Sequence, residues 1–513
     1  MPDRNFLAAQ LTDTARTTPD APFLRAADGA VTLTHGAFLA RAEAMAAALL
    51  ALGLQPDDRV AVQAAKTPEM VQLYLATIMA GGVFLPLNTA YTAAEMQHFL
   101  TDAAPRILVC DPARQSALAD TARDAGVQHV LTLAADGSGS LRAASSAAAP
   151  AAGFVPVPRG PESMAAILYT SGTTGRSKGA VLSHRALASN ARALAELWRF
   201  SPTDVLLHAL PIFHTHGLFV ALNVTLTAGA SCLWFPAFDA AAVLASLPRA
   251  SVMMGVPTFY TRLLEMPGLA QAARGMRLFI SGSAPLLAET HRHWQAVTGQ
   301  AILERYGMTE TNMNTSNPYE GERRAGTVGF PLPGVTLRIS DPATGTPLPQ
   351  GEIGSIELRG PNLFSGYLNL PEKTAEDMRA DGFFITGDLG QIDADGYLHI
   401  VGRSKDLIIS GGYNIYPKEI ELALDAVPGV VESAVIGVPH PDMGEGVVAV
   451  IVANESAPGE ADLLAALSGQ LARFKQPRRI IQMAELPRNA MGKVQKAQLR
   501  ADFANLFAAP APD

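Results

Sequence analysis

Hydrophobic and polar positions alternate between a helical and a strand period along the first 130 residues. Residues 38–52 are rich in Ala and Leu, carry Arg41 and Glu43 near their start, and are followed by Gly53; this pattern predicts a helix with a glycine stop. Residues 60–63 and 107–110 are short apolar runs that read as buried strands, and the alternation predicts an α/β core with parallel strands. From 134 to 161 the chain turns rich in Ala, Ser, Gly and Pro, which predicts a surface excursion. A strand over 165–169 then runs into a loop of hydroxyls and glycines. Ser183 follows as an N-cap for a helix ending near 197. A further strand is expected over 278–280. Strands over 336–339 and 355–358 belong to a stretch punctuated by Gly and Pro, and the last hundred residues predict a helix over 419–427 with strands over 434–438 and 447–452. The fold class is therefore α/β: a large N-terminal domain of mixed, mostly parallel sheets, a strand-rich subdomain, and a small α+β C-terminal domain.

Composition narrows the function classes. The 513 residues carry a net charge of −8 with 48% hydrophobic and 17% charged residues, a globular balance with material for large cores. Mild acidity argues against non-specific nucleic-acid binding, which needs a basic face. The two cysteines, Cys110 and Cys232, stand far apart without metal-ligand spacing, so a reducing cytoplasm is expected rather than a disulfide scaffold. Residues 205–238 contain no Lys, Arg, Asp or Glu, a span long enough for a bilayer. His208, Pro211, His214, His216, Asn223 and Gly229 interrupt it, and the expectation is buried core with no membrane span.

The loop after the 165–169 strand concentrates anion-binding chemistry. Thr170, Ser171, Gly172, Thr173, Thr174, Gly175 and Lys178 combine hydroxyl donors, glycines that admit close backbone approach, and one cation. It is not a Walker A loop, because Ser177-Lys178-Gly179 replaces the terminal Gly-Lys-Ser/Thr.

This string resembles the phosphate loop of the adenylate-forming superfamily of acyl-CoA synthetases, luciferases and adenylation domains. The resemblance continues through Tyr306-Gly-Met-Thr-Glu310, Thr386-Gly-Asp388, Gly402-Arg-Ser-Lys-Asp406 and Pro487-Arg-Asn-Ala-Met-Gly-Lys493, in the family's order and at about its spacing. It implies two reactions in one site, with ATP and CoA as co-substrates. A carboxylate attacks the α-phosphate to give an acyl-adenylate, and a thiol then attacks the acyl carbon. The phosphate loop and Lys178 would hold the β- and γ-phosphates, Glu310 would coordinate Mg²⁺, and Thr309 would touch the α-phosphate. Tyr306 would stack on adenine, while Ser283, Ala284, Pro285, Glu304, Gly307 and Met308 would complete the nucleotide and acyl pocket. Asp388 would accept from the ribose hydroxyls. Arg403 would contact the nucleotide or form a structural ion pair. Lys493 would bridge the reacting carboxylate and the α-phosphate, a charge able to lower the barrier by about 3–4 kcal/mol. The resemblance also implies an N-terminal domain over 1–402 and a mobile C-terminal domain over 403–513, with Lys405 at the hinge and Gly411 and Gly412 lining the CoA tunnel.

Acyl specificity turns on Arg305, which precedes Tyr306-Gly307. A cation beside the acyl site suits a dicarboxylic acid, whose second carboxylate can take a bidentate pair. Here the sequence resembles the malonyl-CoA synthetase branch, which implies malonate, and with it methylmalonate, as substrate; Ser283 and His214 would assist Arg305. The alternative for Arg305 is a pair with Glu304 or another acid, away from the substrate. Competing expectations are an acyl-CoA synthetase for another small or medium-chain acid and an adenylation module feeding a carrier protein. The short remainder after Lys493 holds no carrier segment. A Walker-type motor and a non-catalytic nucleotide sensor are disfavoured by the loop pattern and by the presence of Glu310 and Lys493. Oligomeric state is not legible.

Overall fold

The structure, a computed structural model, describes residues 4–148, 153–170, 177–411, 413–454, 456–489 and 492–507. The chain divides into two compact units. The first comprises Met1–Thr336 and Arg359–Phe384, the second Leu337–Leu358 and Ile385–Asp513.

Among the described residues the first unit holds two large sheets. In the nine-stranded sheet Leu303–Met308, Leu278–Ser281, Val252–Gly255, Val205–His208, Ser231–Trp234 and Pro22–Arg25 run parallel in that spatial order. In the seven-stranded sheet Met164–Thr170, Val83–Pro86, Arg59–Gln63, Ile107–Cys110 and His129–Thr132 are parallel neighbours, while Lys178–Ser183 and Gly366–Tyr367 add an antiparallel edge. Parallel strands are buried on both faces, and the side-chain alternation follows. Val60 and Val62 enter one core while Ala61 enters another; Leu278 and Ile280 face that first core while Phe279 turns to a third.

The predicted helices form close to their expected bounds. His35–Ala51 starts three residues early because the Thr34 hydroxyl caps the Ala37 amide. His184–Leu197 begins at Ser183, whose hydroxyl accepts from the Ala186 amide at 3.1 Å. The 134–161 stretch departs from its expected character. It contains the helix Ser140–Ala147, and Leu141 is fully buried in the main core. Leu141 and, beyond the helix, Phe154 pack on the main core, anchoring a segment whose composition read as surface. The uncharged span holds the strand Val205–His208, a π-helical turn His216–Leu222 continuing into the helix Asn223–Ala228, and the strand Ser231–Trp234. Among the described residues no helix is long and apolar enough to cross a membrane.

Among the described residues the second unit is built around two sheets. One orders Thr336–Ser340, Gly354–Arg359, Phe384–Ile392 and Leu398–Arg403. The other is built on the long hairpin Val430–His440 and Gly444–Ala453, with Arg479–Gln482 parallel to its second strand. Alternation is again strict: Val435, Val447, Ala449 and Ile451 fill one face, whereas Ala434, Ile436, Val448 and Val450 fill the other.

Candidate active site

The phosphate-loop motif sits at the edge of the seven-stranded sheet. Thr170 ends one strand, Lys178 begins the next, and the two are register partners. Ser171, Gly172, Thr173, Thr174 and Gly175 lie outside the described residues. Both stems are tied to the helix Ala93–Ala103. The Tyr169 hydroxyl donates to Asp102 Oδ2 at 2.6 Å, and His98 Nε2 lies 3.0 Å from the Ser177 carbonyl. Spaced at i and i+4, these two side chains share a helix face.

Lys178 Nζ lies 4.2 Å from the centroid of the Tyr367 ring. The Tyr367 hydroxyl donates to Glu310 Oε1 at 3.1 Å. Burial first, then the Glu310 charge, drives the Tyr367 phenol far above its ordinary range, so it stays a donor. Glu310 stands in the turn between Leu303–Met308 and Asn312–Ser316, and its carbonyl accepts from the Phe364 amide at 2.7 Å. Gly307 permits this hairpin: a Cβ there would lie 2.0 Å from the Asn312 carbonyl oxygen. Glu310 is a buried hard-oxygen donor of the kind Mg²⁺ takes, a cation that keeps waters and substrate phosphates as its other ligands. Thr309 is half-buried beside it, and Tyr306 is buried with its hydroxyl 4.0 Å from Met308 Sδ.

The acyl-side candidates converge on Arg305. Leu303 faces the main core, so strand parity puts Arg305 on that face and Glu304 on the opposite one. Glu304 instead receives the Gly326 amide at 3.4 Å. Arg305 is only 4% exposed, and its Nε and Nη2 have no hydrogen-bond partner among the described residues. Burial pushes the guanidinium down to about 9, still well above neutral pH, so it remains charged. The group lies flat against Gly282, where an added Cβ would come within 2.3 Å of Arg305 Cζ. A side chain at 282 would therefore displace the guanidinium from this position.

Ser283 adopts φ of +72°, an unusual left-handed conformation for a non-glycine residue. Its hydroxyl lies 3.1 Å from His216 Nδ1. The imidazole bonded to Ser283 is therefore that of His216, two residues beyond His214, whose Nδ1 accepts from the His216 amide at 3.3 Å. Burial first, then the Arg305 charge, holds His216 well below its ordinary range and neutral. His208 Nε2, 2.8 Å from the Gly217 carbonyl, braces the turn that carries it. Ala284 is half-buried and Pro285 exposed, both beyond this kink. His216 and Tyr367 escaped the sequence reading. The first sits in a His-Thr-His run that offered two candidates, and the second is distant in sequence from every motif.

The remaining candidates lie in the second unit. Asp388 and Arg403 are register partners across two strands and form an ion pair, Arg403 Nε to Asp388 Oδ1 at 2.7 Å. The structural-pair expectation for Arg403 is thus realised. Lys405 is exposed in the short turn Ser404–Asp406; partial desolvation first, opposed by Asp406, lowers its ammonium. Gly411 is an exposed turn residue with φ of +57°, and Gly412 lies outside the described residues. Lys493 is exposed in a tight loop in which its amide donates to Asn489 Oδ1 and its carbonyl accepts from the Asn489 amide, both at 3.0 Å. Arg488 braces the loop through the Gly492 carbonyl at 2.6 Å and an ion pair with Glu432.

Comparison with known proteins agrees with these motifs. Residues 11–368 match the model of the AMP-binding enzymes, and residues 419–493 match that of the AMP-binding enzyme C-terminal domain. The structure is similar to ATP-bound MatB from Rhodopseudomonas palustris at a TM-score of 0.95, with 56% identity over 98% of this chain and 100% of that one. The chain is 37% identical to a sulfoacetate–CoA ligase of Cupriavidus necator over 96% of this chain and 97% of that protein. It is 36% identical to a malonate–CoA ligase of Arabidopsis thaliana over 87% of this chain and 78% of that protein. Two family models covering residues 11–368 and 419–493, and relatives matched over most of the chain, agree on one assignment: the chain belongs to the AMP-binding, adenylate-forming enzyme family.

Proposed function

We propose that the chain is an AMP-forming acid–thiol ligase that converts malonate, ATP and CoA into malonyl-CoA, AMP and diphosphate through malonyl-adenylate. The observation that carries this reading is the buried guanidinium of Arg305, whose Nε and Nη2 have no hydrogen-bond partner among the described residues. A monocarboxylic acid would leave that cation unpaired, at a cost of about 3–5 kcal/mol, whereas the distal carboxylate of malonate supplies its counter-charge. The names of two relatives, a malonate ligase and a sulfoacetate ligase, both denote acids with a second anionic group.

In this reading one malonate carboxylate pairs with Arg305 Nε and Nη2, and neutral His216, oriented by Ser283, adds a hydrogen bond. The other carboxylate is thereby aimed at the α-phosphate, where orientation substitutes for a bimolecular encounter. The phosphate loop from Thr170 and Lys178 hold the departing diphosphate, Thr309 contacts the α-phosphate, and Tyr306 stacks on adenine. Glu310 would hold Mg²⁺, which when bound neutralises phosphate charge. Asp388, oriented by Arg403, takes the ribose hydroxyls. Lys493 supplies the cation at the forming anhydride. Movement of residues 403–513 about Lys405 would then withdraw Lys493 and bring the Gly411-Gly412 turn to line the thiol path.

The test is diphosphate release with acetate, malonate, methylmalonate, sulfoacetate, succinate, octanoate and benzoate, with and without CoA. Malonate is expected to give the highest kcat/KM. Equal or better turnover of octanoate or benzoate would overturn the reading in favour of a ligase for a monocarboxylic acid.

A further inference from the structure

The sequence motifs leave Tyr367 out, yet its side chain lies between two charges of opposite sign. Its hydroxyl donates to Glu310 Oε1, and Lys178 Nζ lies over its ring face. Strand pairing sets this up. Tyr367 is the register partner of Ala180, and Lys178, two residues earlier on the same strand face, is its diagonal neighbour. The backbone around it is held as well. The Tyr367 amide donates to Thr374 Oγ1 at 2.9 Å. Asn369 Nδ2 donates to Asp102 Oδ1 at 3.2 Å, on the carboxylate that receives the Tyr169 hydroxyl at the loop stem.

We propose that Tyr367 is a positioning residue that couples the phosphate-loop cation to the metal-binding carboxylate; this rests on the roles given above to Lys178 and Glu310. A cation over the face of a phenol draws electron density from the ring and makes its hydroxyl a stronger donor. That hydroxyl fixes the rotamer of a buried carboxylate through a charge-assisted bond. Phe at 367 would keep the cation–ring contact and lose the bond to Glu310; Leu would lose both.

Binding of Mn·ATP and of metal-free ATP, the latter in EDTA, separates these effects when followed by calorimetry and Mn²⁺ electron paramagnetic resonance on the full chain. The ratio of the two affinities reports the metal's contribution. Tyr367→Phe is expected to lower that ratio about tenfold, the scale of one hydrogen bond to a charged group, with metal-free ATP binding and the KM for malonate unchanged. Tyr367→Leu should weaken metal-free ATP binding as well, through Lys178. An unchanged ratio in Tyr367→Phe, with the wild-type protein preferring Mn·ATP, would overturn the coupling alone. A wild-type protein with no preference for Mn·ATP would overturn the metal role of Glu310 and the coupling with it.

Discussion

In the proposed reading a single side chain, Arg305, commits the acyl pocket to a class of ligand. Strand parity separates it from Glu304, and Gly282 lets its guanidinium lie against backbone, where among the described residues Nε and Nη2 meet no hydrogen-bond partner. Arg305→Ala should therefore erase discrimination rather than catalysis. The kcat/KM preference for malonate over acetate, roughly several hundredfold on the energy of an unpaired buried charge, should fall to near unity. Retained preference in that variant would remove Arg305 from the acyl site. The arginine itself was legible from its place before Tyr306-Gly307. Its isolation was not, because a neighbouring acid in sequence is an obvious partner until the strand is known. The choice of His216 over His214 was equally closed to inspection, since it depends on which imidazole meets the kinked Ser283.

Secondary elements were legible where one periodicity dominated. The double-faced strands, the Ser183 cap and the glycine stop at Gly53 all follow from local chemistry. The helix Ser140–Ala147 was missed because a single buried leucine anchors it. A different element yields a stability prediction. Asp425 ends the helix Pro417–Asp425 and accepts from Ser433 Oγ at 2.7 Å. Burial raises its carboxyl to about 6, although the Ser433 bond opposes the shift. The folded state thus holds a proton that the unfolded chain, with an ordinary Asp near 3.9, releases between about pH 4 and pH 6. Stability from this group falls as pH rises through that window and stays lower above it. A negative charge at a helix C-terminus adds to the penalty. Asp425→Asn, which keeps an acceptor for Ser433, should stabilise the second unit by about 1–2 kcal/mol at pH 7.5 and by little below pH 4. Urea unfolding at both values tests this; equal midpoints at pH 7.5 would refute it.

At the scale of the whole molecule, the proposed chemistry divides between the two compact units. The phosphate loop, Glu310 and Arg305 belong to the first, while Asp388, Lys405 and Lys493 belong to the second. Two half-reactions then make separable demands. Lys493→Ala should reduce malonyl-adenylate formation by roughly two to three orders of magnitude, the scale of one well-aimed charge, and spare thiolysis of supplied malonyl-adenylate. Lys405→Pro, which restricts the backbone at the proposed hinge, should do the reverse and slow thiolysis more than adenylation. Single-turnover assays of each half-reaction distinguish the pair. Parallel losses in both variants would count against a division of labour by domain movement.

Composition and periodicity were enough to indicate a globular α/β core, and the resemblance of five ordered motifs to the adenylate-forming family picked out most of the charged candidates. That information is local: caps, strand alternation and a glycine-hydroxyl loop depend on residues within a turn or two of each other. Tertiary structure alone decided which of those residues meet. Tyr367 reaches Glu310 across 57 positions, and Ser283 reaches His216 across 67, because separate strands and turns converge there. Among the described residues Arg305 has no counter-ion, for the same reason. Whether a buried charge is paired depends on what the fold brings within a few ångströms, and no local pattern of residues encodes that distance.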